Sequence, residues 1–290
     1  MCMNRLKIIL PLFLMVMAAC ALMGQERRAL AVGVGRYKDP AWARINADTD
    51  LEYVGRILDM YGFDDVTYLR NEMATKAALV SAFEDLADRC KAGDVVYVHF
   101  SGHGQQVTDL DGDEDDGLDE AWIPYDAYRV CCSADDGSKH FIDDEINFLL
   151  AGIRRKVGPD GRILVVVDAC HSGHSSKAHV KAGDAFVCRG VNDVFIPEYK
   201  QKTRPVISED WILISACEAD QVNFEVRRLR VGKLTYCLYK LSSFLPRLSN
   251  DGLKEMLHKL MDSDDMLAPM PQNPHFDGDR QYKVQDVFKR

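Results

Sequence analysis

Two segments of the 290-residue chain place an imidazole and a thiol directly behind apolar, β-branched runs. Val95-Val96-Tyr97-Val98-His99-Phe100 leads into Ser101-Gly102-His103-Gly104, and Ile163-Leu164-Val165-Val166-Val167 leads into Asp168-Ala169-Cys170-His171-Ser172-Gly173. A thiol attacks a carbonyl only as the thiolate, so it needs an imidazole that takes its proton and later returns it to the leaving amine. Cys170 and His103 fit those two roles if their strands are neighbours. The glycines allow backbone to pass close to a substrate and aim N–H groups at a developing oxyanion, with the amides of Gly104 and Cys170 as candidates. Asp168 stands two residues before Cys170, and strand alternation projects both towards one face. A carboxylate there suits a cationic substrate side chain, although an Asp can equally cap nearby loop amides.

The elements that must carry these residues alternate along the chain. Apolar patterning predicts strands at Ala29–Val34, Val66–Leu69, Val95–Phe100, Ile163–Val167 and Trp211–Ser215. Helices are predicted over Asp48–Met60, Thr75–Cys90, Asp143–Lys156, Lys233–Leu245 and Asp251–Met261, with Thr75 as an N-cap. Strands alternating with helices of this length imply an α/β fold, a mostly parallel sheet with helices on both faces. Ligands of such sheets gather beyond the carboxyl ends of the strands, where His103 and Cys170 stand. Gly173–Asp210 has no periodicity, carries several basic residues and reads as a long exposed connection; the tail reads as irregular until Tyr282–Phe288.

Composition narrows the function classes. With 47% hydrophobic residues the chain can bury a full core, and a net charge of −9 argues against a nucleic-acid partner and for basic peptides. Residues 1–24 read as a signal peptide, with Arg5 and Lys7 before the apolar Ile8–Met17 and small residues after it. The expected location is therefore exported, periplasmic or extracellular, with 25–290 as one domain. Met17-Ala18-Ala19-Cys20 resembles a bacterial lipobox, which would anchor a lipid at Cys20, whereas Met23-Gly24-Gln25 would end an ordinary signal. Seven cysteines follow, an odd number that leaves at least one free thiol in an oxidising compartment.

Taken together, His99-Phe100-Ser101-Gly102-His103-Gly104 and Asp168-Ala169-Cys170-His171-Ser172-Gly173 resemble the caspase family, most closely its metacaspase-like branch. The resemblance extends over Val32-Gly33-Val34-Gly35-Arg36-Tyr37, Asp48-Thr49-Asp50, Asp119-Glu120, Ile142-Asp143-Asp144-Glu145, Ile212–Cys217 and Leu234-Thr235-Tyr236. It implies a caspase-like three-layer sandwich and a cysteine endopeptidase that uses the Cys170–His103 dyad without a third residue. His171, although adjacent to the nucleophile, is not the base by this resemblance. Metacaspases cut after Arg or Lys, so Asp168 and Asp50 are implied as pocket acids with Ser101 lining the pocket, Asp48 being a competing choice for Asp50. The expected partners are protein or peptide substrates with Arg or Lys before the scissile bond, and the expected state is a monomer.

No cofactor is required by this chemistry, but calcium is a candidate modulator. The loop Thr108–Glu120 concentrates hard oxygen donors without the spacing of an EF-hand. The resemblance points to Asp119, Asp143 and Asp144 as calcium ligands; Lys177 stands where a further acidic ligand is expected. Family members are often cut in the loop after the nucleophile, which implies self-processing between Lys177 and Arg204. Two rival readings are an inactive caspase-like protein that holds peptides, and a zinc site built from Cys170, His171, His174 and His179 with Cys131, Cys132 or His140. The second lacks paired Cys-x-x-Cys signals and leaves the strand-end glycines unexplained.

Overall fold

A computed structural model describes residues 25–290 except 111, 113, 115, 171–185, 192, 199–209, 219–220, 227, 264–270, 279 and 290. The segment expected to be a signal peptide, Cys20, Lys177 and the histidines at 171, 174 and 179 lie outside the described residues. Among the described residues, no helix is long and apolar enough to cross a membrane.

Three β-branched runs stack side by side as the centre of a six-stranded sheet. In chain order the elements are β1 (Arg27–Gly33), α1 (Ala47–Met60), β2 (Asp65–Arg70), α2 (Lys76–Arg89) and β3 (Val95–Ser101). There follow β4 (Gly104–Thr108), β5 (Leu118–Trp122), β6 (Phe141–Ile142), α3 (Asp143–Val157), β7 (Arg162–Asp168) and β8 (Phe186–Cys188). The last are β9 (Ile212–Ser215), β10 (Phe224–Val226), β11 (Val231–Gly232), α4 (Lys233–Leu241), α5 (Asn250–Met261), β12 (His275–Asp277) and α6 (Val284–Phe288). The main sheet runs β12-β9-β7-β3-β1-β2, with every pair parallel except β12 against β9.

Alternation along the central strands divides the core into two layers. Ala29, Ala31, Val95, Tyr97, Leu164 and Val166 face one side, where α1, α4, α5 and α6 bury Leu51, Val54, Leu234, Leu253 and Val287. Leu30, Val32, Val96, Val98, Phe100, Val165 and Val167 face the other, against Leu79, Phe83 and Leu86 of α2 and Ile146, Leu150 and Ile153 of α3. Thr75 caps α2 as its spacing predicts, accepting the Ala78 N–H at 3.3 Å.

Several predictions from patterning give way to tertiary context. The stretch after the third strand is an antiparallel sheet β4-β5-β6, and the tail contributes β12 to the main sheet. The helix from Lys233 stops at Leu241 and tightens into a 3-10 turn over Ser242–Arg247, because Pro246 cannot supply an N–H. The greatest departure is in the segment expected to be an exposed connection: it carries β8, and Arg189 behind it is fully buried.

The loop between β1 and α1 is held by one buried side chain. Asn71 has φ 45°, a left-handed conformation that Asn tolerates better than most residues. Its Oδ1 accepts the N–H groups of Gly35 and Arg36 at 2.9 and 3.0 Å, and its Nδ2 donates to Asp48 Oδ2 at 3.1 Å. Replacing Asn71 with Ala strands two amides at about 1–3 kcal/mol apiece in burial cost, so Asn71→Ala is expected to lose about 2–6 kcal/mol of stability. Urea denaturation measures it; an unchanged midpoint and slope would show that the loop holds itself.

Candidate active site

β3 and β7 are parallel neighbours in a register that pairs Ser101 with Asp168. His103 and Cys170 therefore each stand two residues past a matched pair, at the carboxyl edge of the sheet. Local packing then fixes the imidazole. Its Nε2 lies 2.8 Å from the Ala43 carbonyl, which can only accept, so Nε2 carries the proton. Among the described residues the buried Nδ1 has no hydrogen-bond partner, which leaves its lone pair available. The ring stacks on Trp42 with centroids 5.2 Å apart, and the His103 backbone N–H donates to the Tyr37 hydroxyl at 2.7 Å. Burial pushes the imidazole down to about 4, neutral at physiological pH.

The Cys170 thiol is buried and donates to the Gln221 carbonyl at 3.5 Å. Its own backbone N–H and that of Gly104 converge on a single acceptor, the Arg189 carbonyl oxygen, at 3.1 and 3.2 Å. Two N–H groups aimed at one carbonyl oxygen beside a thiol form the donor arrangement of an oxyanion hole. The chain approaches this point in extended form, with β8 antiparallel to β10 and the Arg189 N–H donating to the Asn223 carbonyl at 3.0 Å.

From the same residue the guanidinium enters a buried acidic pocket. Arg189 Nη1 and Nη2 grip Asp50 at 2.6 and 3.2 Å, Nη2 reaches Glu225 at 3.2 Å, and Nη1 lies 3.4 Å from Asp168 Oδ1. Burial opposes the Arg189 charge, but the carboxylates of Asp50, Asp168 and Glu225 more than offset it and raise its affinity for the proton. Asp50 is pushed up to about 6, first by burial and then against the attraction of Arg189. Each acid is anchored in turn. Asp168 accepts from Asn223 Nδ2 at 2.8 Å and from the Thr235 N–H and hydroxyl at 2.8 and 2.7 Å. Asp50 accepts from the Gly232 N–H at 2.9 Å, and Glu225 from the Asn46 N–H at 2.8 Å.

Asp50 and Asp168 thus share one pocket, while Asp48 turns away to Asn71. Ser101 lies buried beneath it, its hydroxyl 2.9 Å from His99 Nε2, which in turn is 3.4 Å from the Thr235 hydroxyl. Glu225, the third acid, escaped sequence reasoning, as did Asn223, Ala43, Tyr37, Trp42 and Arg189 itself. Glu225 lies in a three-residue strand too short to show a period, and Asn223 stands just before it. The remaining signal was faint: Leu234-Thr235-Tyr236 stood out without a role.

The three candidate calcium ligands lie elsewhere, Asp119 on β5 and Asp143 and Asp144 in the first turn of α3. Burial pushes Asp143 up to about 8, and the nearby charges of Glu120, Asp119, Asp144 and Glu114 add to it. These carboxylates crowd one another without converging: among the described residues, no group of three or more donor side chains could hold a metal ion. The described part of the zinc alternative is no better placed, since His140 Nε2 bonds Gln105 at 3.0 Å and its ring lies 4.0 Å from that of Phe195.

Comparison with known proteins agrees with this geometry. The family model of the caspase domain, a peptidase family, matches residues 26–263. Metacaspase-1B of Aspergillus fumigatus is 34% identical over 158 residues, 51% of this chain and 36% of that protein. Metacaspase-1 of Emericella nidulans is 32% identical over 157 residues, again 51% of this chain and 36% of the relative. The aligned part is thus little more than a third of these curated relatives. A protein of Geobacter sulfurreducens with a crystal structure superposes at a TM-score of 0.64 with 26% identity, covering 87% of this chain and 92% of that one. Caspase-1 of Spodoptera frugiperda superposes at 0.58 with 11% identity over 87% and 86% of the two chains, a likeness of fold. A match to the caspase-domain model over most of the chain, with metacaspases among its relatives, places this protein in the caspase family as a metacaspase-like member.

Proposed function

We propose that the chain is a cysteine endopeptidase that hydrolyses peptide bonds after Arg or Lys through Cys170 and His103. One observation carries the reading: Arg189 lies with its guanidinium among three carboxylates while its carbonyl oxygen accepts from the amides of Cys170 and Gly104. A peptide residue held at both ends in this way presents the carbonyl to be attacked beside the thiol. It also states the preference, since a pocket of three buried carboxylates demands a cation.

The residues divide the work as follows. His103 Nδ1 takes the Cys170 proton, the thiolate attacks the carbonyl carbon, and the two amides hold the oxyanion. The imidazolium then protonates the departing amine, leaving a thioester that water hydrolyses with His103 again as base. Ala43, Tyr37 and Trp42 are positioning residues, fixing the ring and keeping the proton on Nε2.

Self-processing enters through the same segment. By this reading Arg189–Gly190 is the bond presented to Cys170, and a purified sample should show a fragment boundary there by intact mass. Cys170→Ala protein should stay whole; clipping of the variant at the same bond would assign the cut to another protease.

The pocket acids set a pH limb. With Arg189 in the pocket Asp50 already stands at about 6, and losing that guanidinium raises it further, so kcat/KM for Arg and Lys substrates should fall as pH drops through a range at or above about 6. Asp50→Asn should flatten that limb, and Asp168→Ala should lower kcat/KM by at least about 100-fold, the cost of an unpaired guanidinium. Fluorogenic Arg, Lys and Asp amides measure both; undiminished hydrolysis by Asp168→Ala would reject the pocket.

The crowded carboxylates near α3 make a separate prediction. With a folded-state value near 8 against an ordinary one near 4, Asp143 holds a proton in the fold that the unfolded chain releases, so its presence lowers stability as pH rises from about 4 to 8. In excess chelator Asp143→Asn should melt above wild type at pH 8–9, with the gap closing towards pH 4–5. A gap of equal size at both ends would remove titration of Asp143 as its cause.

A further inference from the structure

Beyond the acidic pocket the segment continues past Arg189 under constraints of its own. Gly190 forms a parallel bridge with Gly104, and Phe195 forms another with Val107. The Phe195 N–H donates to the Gln106 carbonyl at 2.8 Å, and the Thr108 N–H donates back to the Phe195 carbonyl at 2.9 Å. Phe195 is buried in an apolar cluster with Trp42, Val107, Ala121, Ile123 and Ile142. The peptide is therefore pinned on both sides of the Arg189–Gly190 bond, by β10 and the acids before it and by β4 after it.

Between those anchors the residue after Arg189 has almost no room. A Cβ on Gly190 would stand 2.6 Å from the Cys170 carbonyl oxygen and 2.8 Å from Cys170 Cβ. Real Cβ atoms do not approach so closely, and the obstruction is backbone that also supplies an oxyanion-hole amide. The Cys170 Cβ in the way is fixed to the same Cα as the Cys170 N–H that holds the Arg189 carbonyl, so shifting it disturbs that bond. Tilting the peptide instead is opposed by the Arg189 contacts, which fix its N–H, carbonyl and guanidinium.

We propose that the cleft selects the residue after the scissile bond as well as the one before it, accepting glycine there, so that its preferred substrates are extended peptides containing Arg-Gly or Lys-Gly. The proposal rests on the reading of Cys170 as nucleophile and Arg189 as the occupant of the substrate pocket. Its own content is the steric wall made by Cys170 backbone, with Arg189–Gly190 as the chain's internal example. Before the bond, Cys188 packs against Cys170, Cys217, Val222 and Phe224, which suits a small apolar side chain at that position. Charge selects the first residue and lack of a side chain selects the second.

The test uses the full chain and internally quenched peptides Phe-Val-Ala-Arg-Xaa-Val-Asn-Asp-Val-Phe-Ile with Gly, Ala, Val or Leu at Xaa. An Arg-coumarin amide, which has no residue after the scissile bond, runs beside them. The expected result is hydrolysis of the coumarin amide and a kcat/KM for the Gly peptide at least about tenfold above Val and Leu, with Ala between. In parallel, Gly190→Val and Gly190→Ala chains with wild-type circular dichroism should be cut between residues 189 and 190 more slowly than wild type, Val slowest. Hydrolysis of the coumarin amide with equal rates on all four peptides overturns this inference and leaves the Arg/Lys reading standing. No hydrolysis of any probe by wild type or either Gly190 variant overturns both.

Discussion

Everything at the carboxyl edge of the sheet is organised around one buried guanidinium. Arg189 has no solvent exposure, nor have Asp50 and Asp168, and Glu225 is nearly as deep. One positive charge among three carboxylates leaves the cluster short of cations, and burial without a partner is far costlier for a charge than for a neutral group. The cluster persists because each acid has hydrogen-bond donors besides Arg189: Asn223 and Thr235 for Asp168, Gly232 for Asp50, Asn46 for Glu225. Those donors come from the N-cap of α1, from the residue before β10, and from the β11–α4 junction. The pocket is thus where elements distant in sequence are required to meet.

The same junction couples binding to reaction geometry. Asp168 accepts from Thr235 on α4 and ends β7 two residues before the thiol, so the strand that anchors the pocket also sets the position of Cys170. His103 leaves the adjacent strand in matched register, and its ring is locked from the opposite side by the Tyr37–Trp42–Ala43 loop that Asn71 holds. A guanidinium in the pocket and a carbonyl between two amides are therefore consequences of one register rather than separate arrangements. Misplacing either strand by one residue would turn Asp168 and Cys170 to the wrong face.

What could be read from sequence follows how locally each feature is encoded. The central strands and the helices that cover them were legible because β-branched runs and 3.6-residue periodicity are local, and the two strand-end segments followed from them. Glu225 and Asn223 were not, because a three-residue strand shows no alternation and their role depends on pairing with β8. Arg189 was illegible for a deeper reason. In a segment with no period and several basic residues it looks like any solvated arginine, and only the three acids brought in from elsewhere give it a buried place. Crowding of acids near α3 was visible as composition, but whether carboxylates converge on an ion or merely repel depends on side-chain directions that composition does not encode.

The internal segment also bears on how such a cleft changes state after a cut. While the chain is continuous, the β10 pairing and the acid pocket on one side and the β4 pairing with buried Phe195 on the other hold the same strand, each raising the effective concentration of the other. Breaking Arg189–Gly190 would end that coupling at once. The half ending at Arg189 would then carry a new carboxylate at the amides of Cys170 and Gly104, retained by those donors, the short β8–β10 ladder and its guanidinium. The half beginning at Gly190 keeps Phe195 in its apolar cluster and loses little. The two halves would therefore be held by different forces, charge and hydrogen bonds before the bond and an apolar cluster after it.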